Sequence, residues 1–318
     1  MPRNDTSRRR VLMGLGGAVA ASLVGAPVLA ATRGSAGRPD IVGELRRIKT
    51  VESDTLLDIA RRYNLGYVEI VTANPQVDPW LPGEGTEIVL PTVHVLPDAP
   101  REGVVLNLSD QRLYYFPAGK PIETFAIGIG ADGWNTPKGR TKVVRKAKNP
   151  TWFVPKSILK EEPDHPKIVR PGPDNPLGKH AIYLEWPAYL IHGTNKPDGV
   201  GRRVSHGCIR MYPEGAERLY EVVAIGTPVT VVDQQAKFGW IDGELYLEIH
   251  PSQKQTDQIE ETRTFETESV PDLQGRVKMA ARDQVERIDW SVVDEAAIRR
   301  AGFPVRITRD RSLQSSAR

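Results

Sequence analysis

The sequence predicts a mainly β protein with a small βααβ domain near its start and an α/β appendage at its end. Three observations support this class. Short apolar runs separated by turn residues follow one another over residues 102–233. That stretch contains one clear amphipathic helical pattern, over residues 213–223. Residues 45–92 place two helical patterns between two strand-like runs.

Length and charge limit the number of domains and the classes of function. The 318 residues allow two or three domains of about 100–200 residues each. The formal net charge is +3, but residues 1–31 hold four arginines and one aspartate, and the remainder carries 39 residues of each sign. This near-neutral balance does not favour nucleic-acid binding through phosphate neutralisation.

The N-terminus predicts an export signal over residues 1–31. Arg8-Arg9-Arg10 precedes an uncharged stretch over residues 11–31, and Val28-Leu29-Ala30 suits cleavage near Ala30/Ala31. The basic patch resembles a twin-arginine signal. A retained membrane anchor is the alternative, because about 20 apolar residues can span a bilayer.

The βααβ domain is predicted from local signals. A strand over residues 48–51 is followed by a helix cap at Ser53-Asp54-Thr55. A second helix fits residues 67–72, and a closing strand fits residues 87–91.

The middle of the chain predicts a β domain over residues 102–233. Runs at 104–108 and 112–116 flank a turn and indicate a hairpin. Residues 145–180 are proline-rich, and we expect them to form a lid without regular structure.

The tail, residues 234–318, predicts a packing appendage. It begins with a hairpin signal at Asp242-Gly243. A loose polar stretch follows over residues 251–270, and a later helix is capped by Ser291 and Asp294.

The most reactive side chains fall within residues 191–211. This stretch contains His192, His206 and Cys208, the only cysteine of the chain. In an exported protein a lone cysteine is either buried and inert or kept as a thiolate nucleophile. Its flanking glycine and neighbouring histidine favour the nucleophile.

An imidazole can take the proton of a thiol whose usual pKa is about 8.5. We expect His192, at the end of a strand, to be this base, with Gly193 fixing its orientation. His206 would face the same side as Cys208 if both lie on one strand. The N–H groups of Gly207 and Cys208 suit an oxyanion hole.

Two further expectations concern arginines of the same stretch. Arg210 suits a substrate carboxylate. The loop over residues 196–204, with Arg202 and Arg203, is expected to form a substrate rim.

Other interpretations of these residues stay open at this point. His192, His206 and Cys208 are all zinc-ligand types, although no paired spacing of zinc sites is present. Cys208 could also be structural. A papain-like arrangement is disfavoured, because there the cysteine precedes the histidine along the chain.

Residues 45–92 resemble a LysM module. The matching residues are Val51, Asp54-Thr55-Leu56, Ile59-Ala60, Tyr63, Asn74-Pro75, Leu81, Gly83 and Ile88-Val89-Leu90-Pro91. Ser53 stands where the family usually has glycine. The resemblance implies binding of N-acetylglucosamine-containing glycans such as peptidoglycan; a spacer without a ligand is the alternative.

Residues 102–233 resemble the L,D-transpeptidase catalytic domain of the YkuD type. The matching segments are His192-Gly193-Thr194-Asn195, Ser205-His206-Gly207-Cys208-Ile209-Arg210-Met211, Thr136-Pro137-Lys138-Gly139, Asn175-Pro176-Leu177-Gly178 and Gly226-Thr227-Pro228-Val229. The resemblance implies a β-rich fold with Cys208 as nucleophile and His192 as proton donor and acceptor. The supporting site residues are Gly193, Ser205, His206 and Gly207. The substrate-binding residues are Thr194, Asn195 and Arg210.

The implied reaction needs no cofactor and no metal. Cys208 would form a thioester with the third residue of a peptidoglycan tetrapeptide stem and release D-alanine. An amine of another stem would then give a 3→3 cross-link, and a lysine of an outer-membrane lipoprotein would give an anchored protein. Water would make the enzyme an L,D-carboxypeptidase. A non-enzymatic wall-binding protein is the remaining alternative. The order of domains is similar to Gram-negative periplasmic members, which implies a periplasmic location.

Overall fold

The structure, a computed structural model, describes residues 39–309, so the predicted signal peptide and the last residues of the appendage lie outside it. The predicted mainly β class is confirmed: these residues form eighteen strands and seven α-helices. The strands are β1 (Ile41–Gly43), β2 (Arg46–Lys49), β3 (Glu87–Leu90), β4 (Val93–Val95), β5 (Gly103–Asn107), β6 (Arg112–Phe116), β7 (Glu123–Gly130), β8 (Gly139–Lys148), β9 (Trp152–Phe153), β10 (Ile168–Val169), β11 (His180–Leu184), β12 (Leu190–His192), β13 (Arg203–Ser205), β14 (Ile209–Met211), β15 (Pro228–Val232), β16 (Ala236–Ile241), β17 (Glu244–Ile249) and β18 (Val305–Arg306). The α-helices are α1 (Leu56–Arg62), α2 (Tyr67–Ala73), α3 (Lys156–Glu161), α4 (Pro213–Val222), α5 (Gln253–Thr262), α6 (Leu273–Ala281) and α7 (Trp290–Arg299).

A nine-stranded sheet forms the centre of the molecule. Its strand order is β13-β7-β14-β12-β11-β8-β15-β5-β6, and β6 also pairs with β7. The sheet therefore curves back on itself in a barrel-like way. Its apolar core is built by alternate residues of these strands, such as Leu106, Ile127 and Val229, and by the buried face of α4.

The four elements of the βααβ unit form as predicted. The hydroxyl of Thr55 accepts a hydrogen bond from the Asp58 N–H at 3.1 Å and caps α1. Strands β2 and β3 pair antiparallel. The first strand ends at Lys49, two residues earlier than expected, and Val51 is exposed in the turn that follows. The LysM identity of this unit stays a prediction.

The βααβ unit is joined tightly to the central sheet at the start of α2. The N–H groups of Tyr67 and Val68 donate to the carbonyls of Val200 and Gly201, each at 3.2 Å. These are helix N-terminal groups that lack partners within the helix. A Cβ on Gly201, where φ is +75°, would lie 2.2 Å from the Cα of Gly66. Only two glycines allow the backbones to approach this closely.

A buried ion pair lies at the same junction. Arg112 on β6 donates to Glu69 on α2 at 2.7 Å, and both side chains are almost fully buried. Arg112 also donates to the carbonyl of Asn64 at 3.0 Å. Burial raises the pKa of Glu69, and the charge of Arg112 opposes that rise.

The C-terminal appendage packs as a three-stranded sheet, β16-β17-β18, against α6 and α7. Asp242 and Gly243 have φ of +49° and +77°, which suits the predicted hairpin turn. The later helix is capped by Asp289 rather than by Ser291.

Two stretches that were predicted to lack regular structure contain helices or strands. The polar stretch predicted to be loose forms α5, whose capping box joins Ser252 and Gln255 and whose Ile259 packs into the core of the βααβ unit. The proline-rich stretch contains β9, α3 and β10. Within residues 39–309, no helix is long and apolar enough to cross a membrane.

Candidate active site

His192 and Arg210 are brought together by two neighbouring strands. β12 and β14 run parallel, with Ile191 opposite Ile209 and His192 opposite Arg210. Ile191 and Ile209 point into the main core. Because side chains alternate along a strand, His192 and Arg210 share the opposite face. Cys208, directly before β14, packs in one cluster with Leu190, which lies two residues before His192 on the same face of β12.

The thiol of Cys208 lies in a largely apolar setting. It packs against Leu190, and its Sγ lies 3.4 Å from the carbonyl oxygen of Ala188, to which the thiol donates. Burial raises the pKa of Cys208 to about 11, while the Leu190 N–H and the charge of Arg210 act in the opposite direction. This raised pKa favours a protonated thiol at neutral pH.

His192 is buried and has a defined tautomer. Its Nδ1 lies 2.5 Å from the carbonyl oxygen of Gly193, which can only accept. Nδ1 therefore carries the hydrogen, and Nε2 keeps its lone pair. Burial, followed by the charge of Arg210, lowers the pKa of His192 to about 4, so the ring is neutral at neutral pH.

Two hydroxyl groups hold the backbone around the thiol. Thr136 Oγ1 donates to the carbonyl of Gly207 at 2.9 Å and accepts from the N–H of Gly130. Ser205 Oγ donates to the carbonyl of Cys208 at 2.6 Å. Because a peptide unit is planar, a fixed Gly207 carbonyl also fixes the direction of the Cys208 N–H.

The expectation that His206 and Cys208 lie on one strand is wrong. Residues 206–208 form a bend between β13 and β14, and Gly207 has φ of +94°. The ring of His206 packs edge-on against Trp134 at 4.7 Å, and its Nε2 lies 3.5 Å from Glu161 of α3. His206 therefore links the bend to the proline-rich segment.

Arg210 is a partly buried cation. Burial lowers its pKa, and its Nε is buried without a hydrogen-bond partner in the described part of the chain. Its Nη1 packs so closely on Gly199 that a Cβ there would lie 2.4 Å away. No carboxylate of residues 39–309 forms a salt bridge with it, which leaves the guanidinium able to bind an external anion.

The residues after His192 differ in exposure. Thr194 is buried, and its hydroxyl accepts from the Lys196 N–H at 2.9 Å. A Cβ on Gly178 would lie 2.8 Å from the Thr194 backbone nitrogen, so the chain here is tightly packed. Asn195 is exposed. Of Thr194 and Asn195, only Asn195 presents its side chain to solvent.

The expected substrate rim formed by Arg202 and Arg203 is not observed. The guanidinium of Arg202 lies 3.6 Å from the ring centroid of Tyr67. Arg203 is buried, forms an ion pair with Asp257 of α5, and donates to the carbonyl of Gln253 at 2.9 Å. Both arginines therefore join parts of the fold.

Three side chains of the kinds that bind metals lie close together at a site that does not include Cys208. Among residues 39–309, the ligand atoms of Asp110, Glu248 and His250 come together, all buried. The ammonium group of Lys237 lies 2.6 Å from Asp110 and 2.7 Å from Glu248. It already supplies the positive charge that a metal would bring. His192, His206 and Cys208 do not converge in this way, so the geometry does not favour the zinc interpretation.

Several residues around the thiol were not given roles from the sequence. Thr136 matched a family segment, but its contact with Gly207 joins positions 71 apart. Asn175 is fully buried and donates to the carbonyl of Pro150 at 2.8 Å, which anchors the proline-rich segment. Ala188 has φ of +68°, and no local signal predicts this for alanine.

Comparisons with known proteins show which family this chain resembles. The L,D-transpeptidase catalytic domain model, YkuD, matches residues 101–231. A probable L,D-transpeptidase ErfK/SrfK of Salmonella typhimurium is 38% identical over 282 residues, which cover 85% of this chain and 89% of that protein. A probable L,D-transpeptidase YbiS of Escherichia coli is 38% identical over 277 residues, covering 84% and 88%.

Among solved structures, L,D-transpeptidase 3 of Mycobacterium tuberculosis is similar at 21% identity with a TM-score of 0.32. The match covers 46% of this chain and 67% of that one.

Proposed function

The chain belongs to the YkuD family of L,D-transpeptidases, and we propose that Cys208 and His192 transfer an acyl group from a peptidoglycan stem peptide. One observation carries this proposal. His192 and the only cysteine of the chain lie on one sheet face, and the ring presents a free Nε2 while neighbouring hydroxyls fix the backbone at the thiol.

The first half-reaction forms a thioester. Nε2 of His192 takes the thiol proton as the sulfur of Cys208 bonds to the carbonyl carbon of the third stem residue. The pKa values of about 11 for Cys208 and about 4 for His192 favour proton transfer together with attack rather than before it. The protonated ring then returns the proton to the amine of the leaving D-alanine.

Backbone N–H groups supply the electrostatic stabilisation in this scheme. The Cys208 N–H, whose direction Thr136 fixes through Gly207, faces the developing oxyanion together with the N–H of Gly207. Arg210 suits a carboxylate next to the bond that breaks. Its charge lies beside the thiol, and no acidic residue among residues 39–309 forms a salt bridge with it.

The second half-reaction resolves the thioester. Nε2 of His192 takes a proton from an incoming amine, which attacks the thioester carbon and displaces the sulfur of Cys208. The sulfur then recovers the proton. An amine of a second stem gives a 3→3 cross-link, a lipoprotein lysine gives an anchored protein, and water gives the carboxypeptidase reaction. The export signal and the Gram-negative relatives support a periplasmic place for this reaction.

Product analysis tests the proposal. The wild type is incubated with tetrapeptide stems, with and without an acceptor amine, and the products are identified by mass spectrometry. We expect D-alanine release and a cross-linked dimer or a lysine adduct, and neither product from Cys208→Ala. Undiminished D-alanine release by Cys208→Ala would contradict the proposal. Tripeptide as the only product of the wild type would favour the carboxypeptidase reaction.

A glycan-binding role for the βααβ unit is a second candidate. Trp80 and Leu81 are adjacent in the loop between α2 and β3 and are 56% and 83% exposed, so they form a small apolar surface patch. We expect Trp80→Ala to weaken sedimentation with purified sacculi and Cys208→Ala to leave it unchanged. Point variants are preferable to deletion, since the unit is packed into the rest of the molecule.

A further inference from the structure

A row of side chains crosses the sheet from the thiol to an arginine on β8. Tyr183 on β11 is opposite both Leu190 on β12 and Arg145 on β8. Leu190 packs in one apolar cluster with Cys208 and Tyr183. Cys208, Leu190, Tyr183 and Arg145 therefore lie on one face, in one row perpendicular to the strands.

Arg145 lies at the end of this row and packs on Tyr183. Its guanidinium carbon lies 3.5 Å from the ring centroid of Tyr183, so the two planes stack. Stacking leaves the N–H edge of the guanidinium available for a planar anion. The side chain is exposed, and no acidic residue in the range 39–309 forms a salt bridge with it. Its neighbours differ: Lys142 pairs with Glu185 at 3.0 Å, and Lys146 donates to a backbone carbonyl.

The segment of chain around Arg145 is rich in basic residues. Residues 133–160 contain eight lysines and arginines and no aspartate or glutamate. Such a surface attracts anions before any specific contact forms. Within this stretch, Arg145 is the cation that shares the face and the row of Cys208.

We propose that Arg145, stacked on Tyr183, binds a free carboxylate on the acyl side of the donor peptide. This inference rests on the proposed function. Tyr183 lies two strands away from the strand of Cys208, which is about 10 Å at the usual strand spacing. The bound carboxylate therefore lies about 10 Å from the carbonyl that Cys208 attacks, in a different place from the one that Arg210 serves.

Binding is measured in the Cys208→Ala background, so that the result does not depend on turnover. Two soluble stem peptides are compared by calorimetry: one with its acyl-side carboxylates free and one with them amidated. We expect amidation to weaken binding about tenfold, in line with the loss of a charge-assisted pair. Arg145→Met should weaken binding of the free peptide by the same factor and leave the amidated peptide unaffected. Arg145→Lys should recover only part of the difference.

Arg140→Met is the matched control, because Arg140 is an exposed cation on the same strand, five residues from Arg145. It should keep the tenfold preference for the free peptide. The inference is overturned if Arg145→Met still prefers the free peptide tenfold, or if both peptides bind the Cys208→Ala protein equally. D-alanine release with Cys208 intact is measured separately, so a failure of the proposed reaction is distinguished from a failure of this subsite.

Discussion

The hydroxyl of Thr136 donates a hydrogen bond of 2.9 Å to the carbonyl oxygen of Gly207, the residue before the thiol. It thereby sets the direction of the Cys208 N–H without touching the sulfur. Thr136→Val keeps the shape and removes the donor. We expect kcat for D-alanine release to fall about tenfold with KM little changed, since a whole oxyanion donor is worth about 10²–10³. Thr136→Ser should restore most of the rate, and equal kcat for Val and wild type would contradict the role.

The resting thiol is predicted to be protonated, which alkylation can measure. Burial raises the pKa of Cys208 to about 11, so its reaction with iodoacetamide should be slow at pH 7 and should keep rising up to about pH 11. A plateau near neutral pH would instead indicate a thiolate paired with a protonated His192. His192→Gln, followed over the same pH range, reports how the imidazole contributes to the profile.

His192 should make the fold less stable in acid. Its pKa in the folded chain is about 4, below the usual value of about 6.5, so the unfolded state binds the proton first as the pH falls. The neutral His192 ring therefore makes its full contribution to the free energy of unfolding above about pH 6.5. This contribution falls progressively down to about pH 4, by up to about 3 kcal/mol. Urea unfolding across this range checks the prediction. His192→Gln should show a correspondingly smaller loss; an identical pH dependence in both proteins would refute it.

The buried pair between Glu69 and Arg112 should matter more than a surface pair. Arg112→Leu leaves a buried carboxylate without its partner, and we expect the free energy of unfolding to fall by about 3–5 kcal/mol. Arg47→Leu is the control, because Arg47 and Glu87 form an exposed pair worth about 0–1 kcal/mol. Similar losses in the two variants would show that burial does not set the value of the pair.

Local signals in the sequence predicted the elements that depend on local structure. The cap at Thr55, the hairpin turn at Asp242-Gly243 and the strand that ends at His192 each follow from residues close in sequence. The polar composition of α5 concealed its helix, although the Ser252 and Gln255 capping box was present. Its burial depends on Ile259, which contacts a core far away in sequence.

Contacts between distant residues could not be predicted in the same way. Three such contacts depend on how the sheet brings strands together. They are the hydrogen bond between Thr136 and Gly207, the ion pair of Glu69 with Arg112, and the contacts of Arg202 and Arg203 inside the fold in place of a substrate rim. A sequence pattern shows that an arginine is near a motif. It does not show which anion or ring that arginine meets in the folded chain.

The contact of Gly66 with Gly201 has a consequence for how this protein can change over generations. The βααβ unit and the loop that leads to the thiol meet backbone to backbone, so neither glycine can acquire a side chain unless the other segment moves. Recombination that exchanged this unit for that of a distant relative would break the fit on both sides. The two halves are therefore expected to be inherited together, with substitutions on one side followed by compensating substitutions on the other.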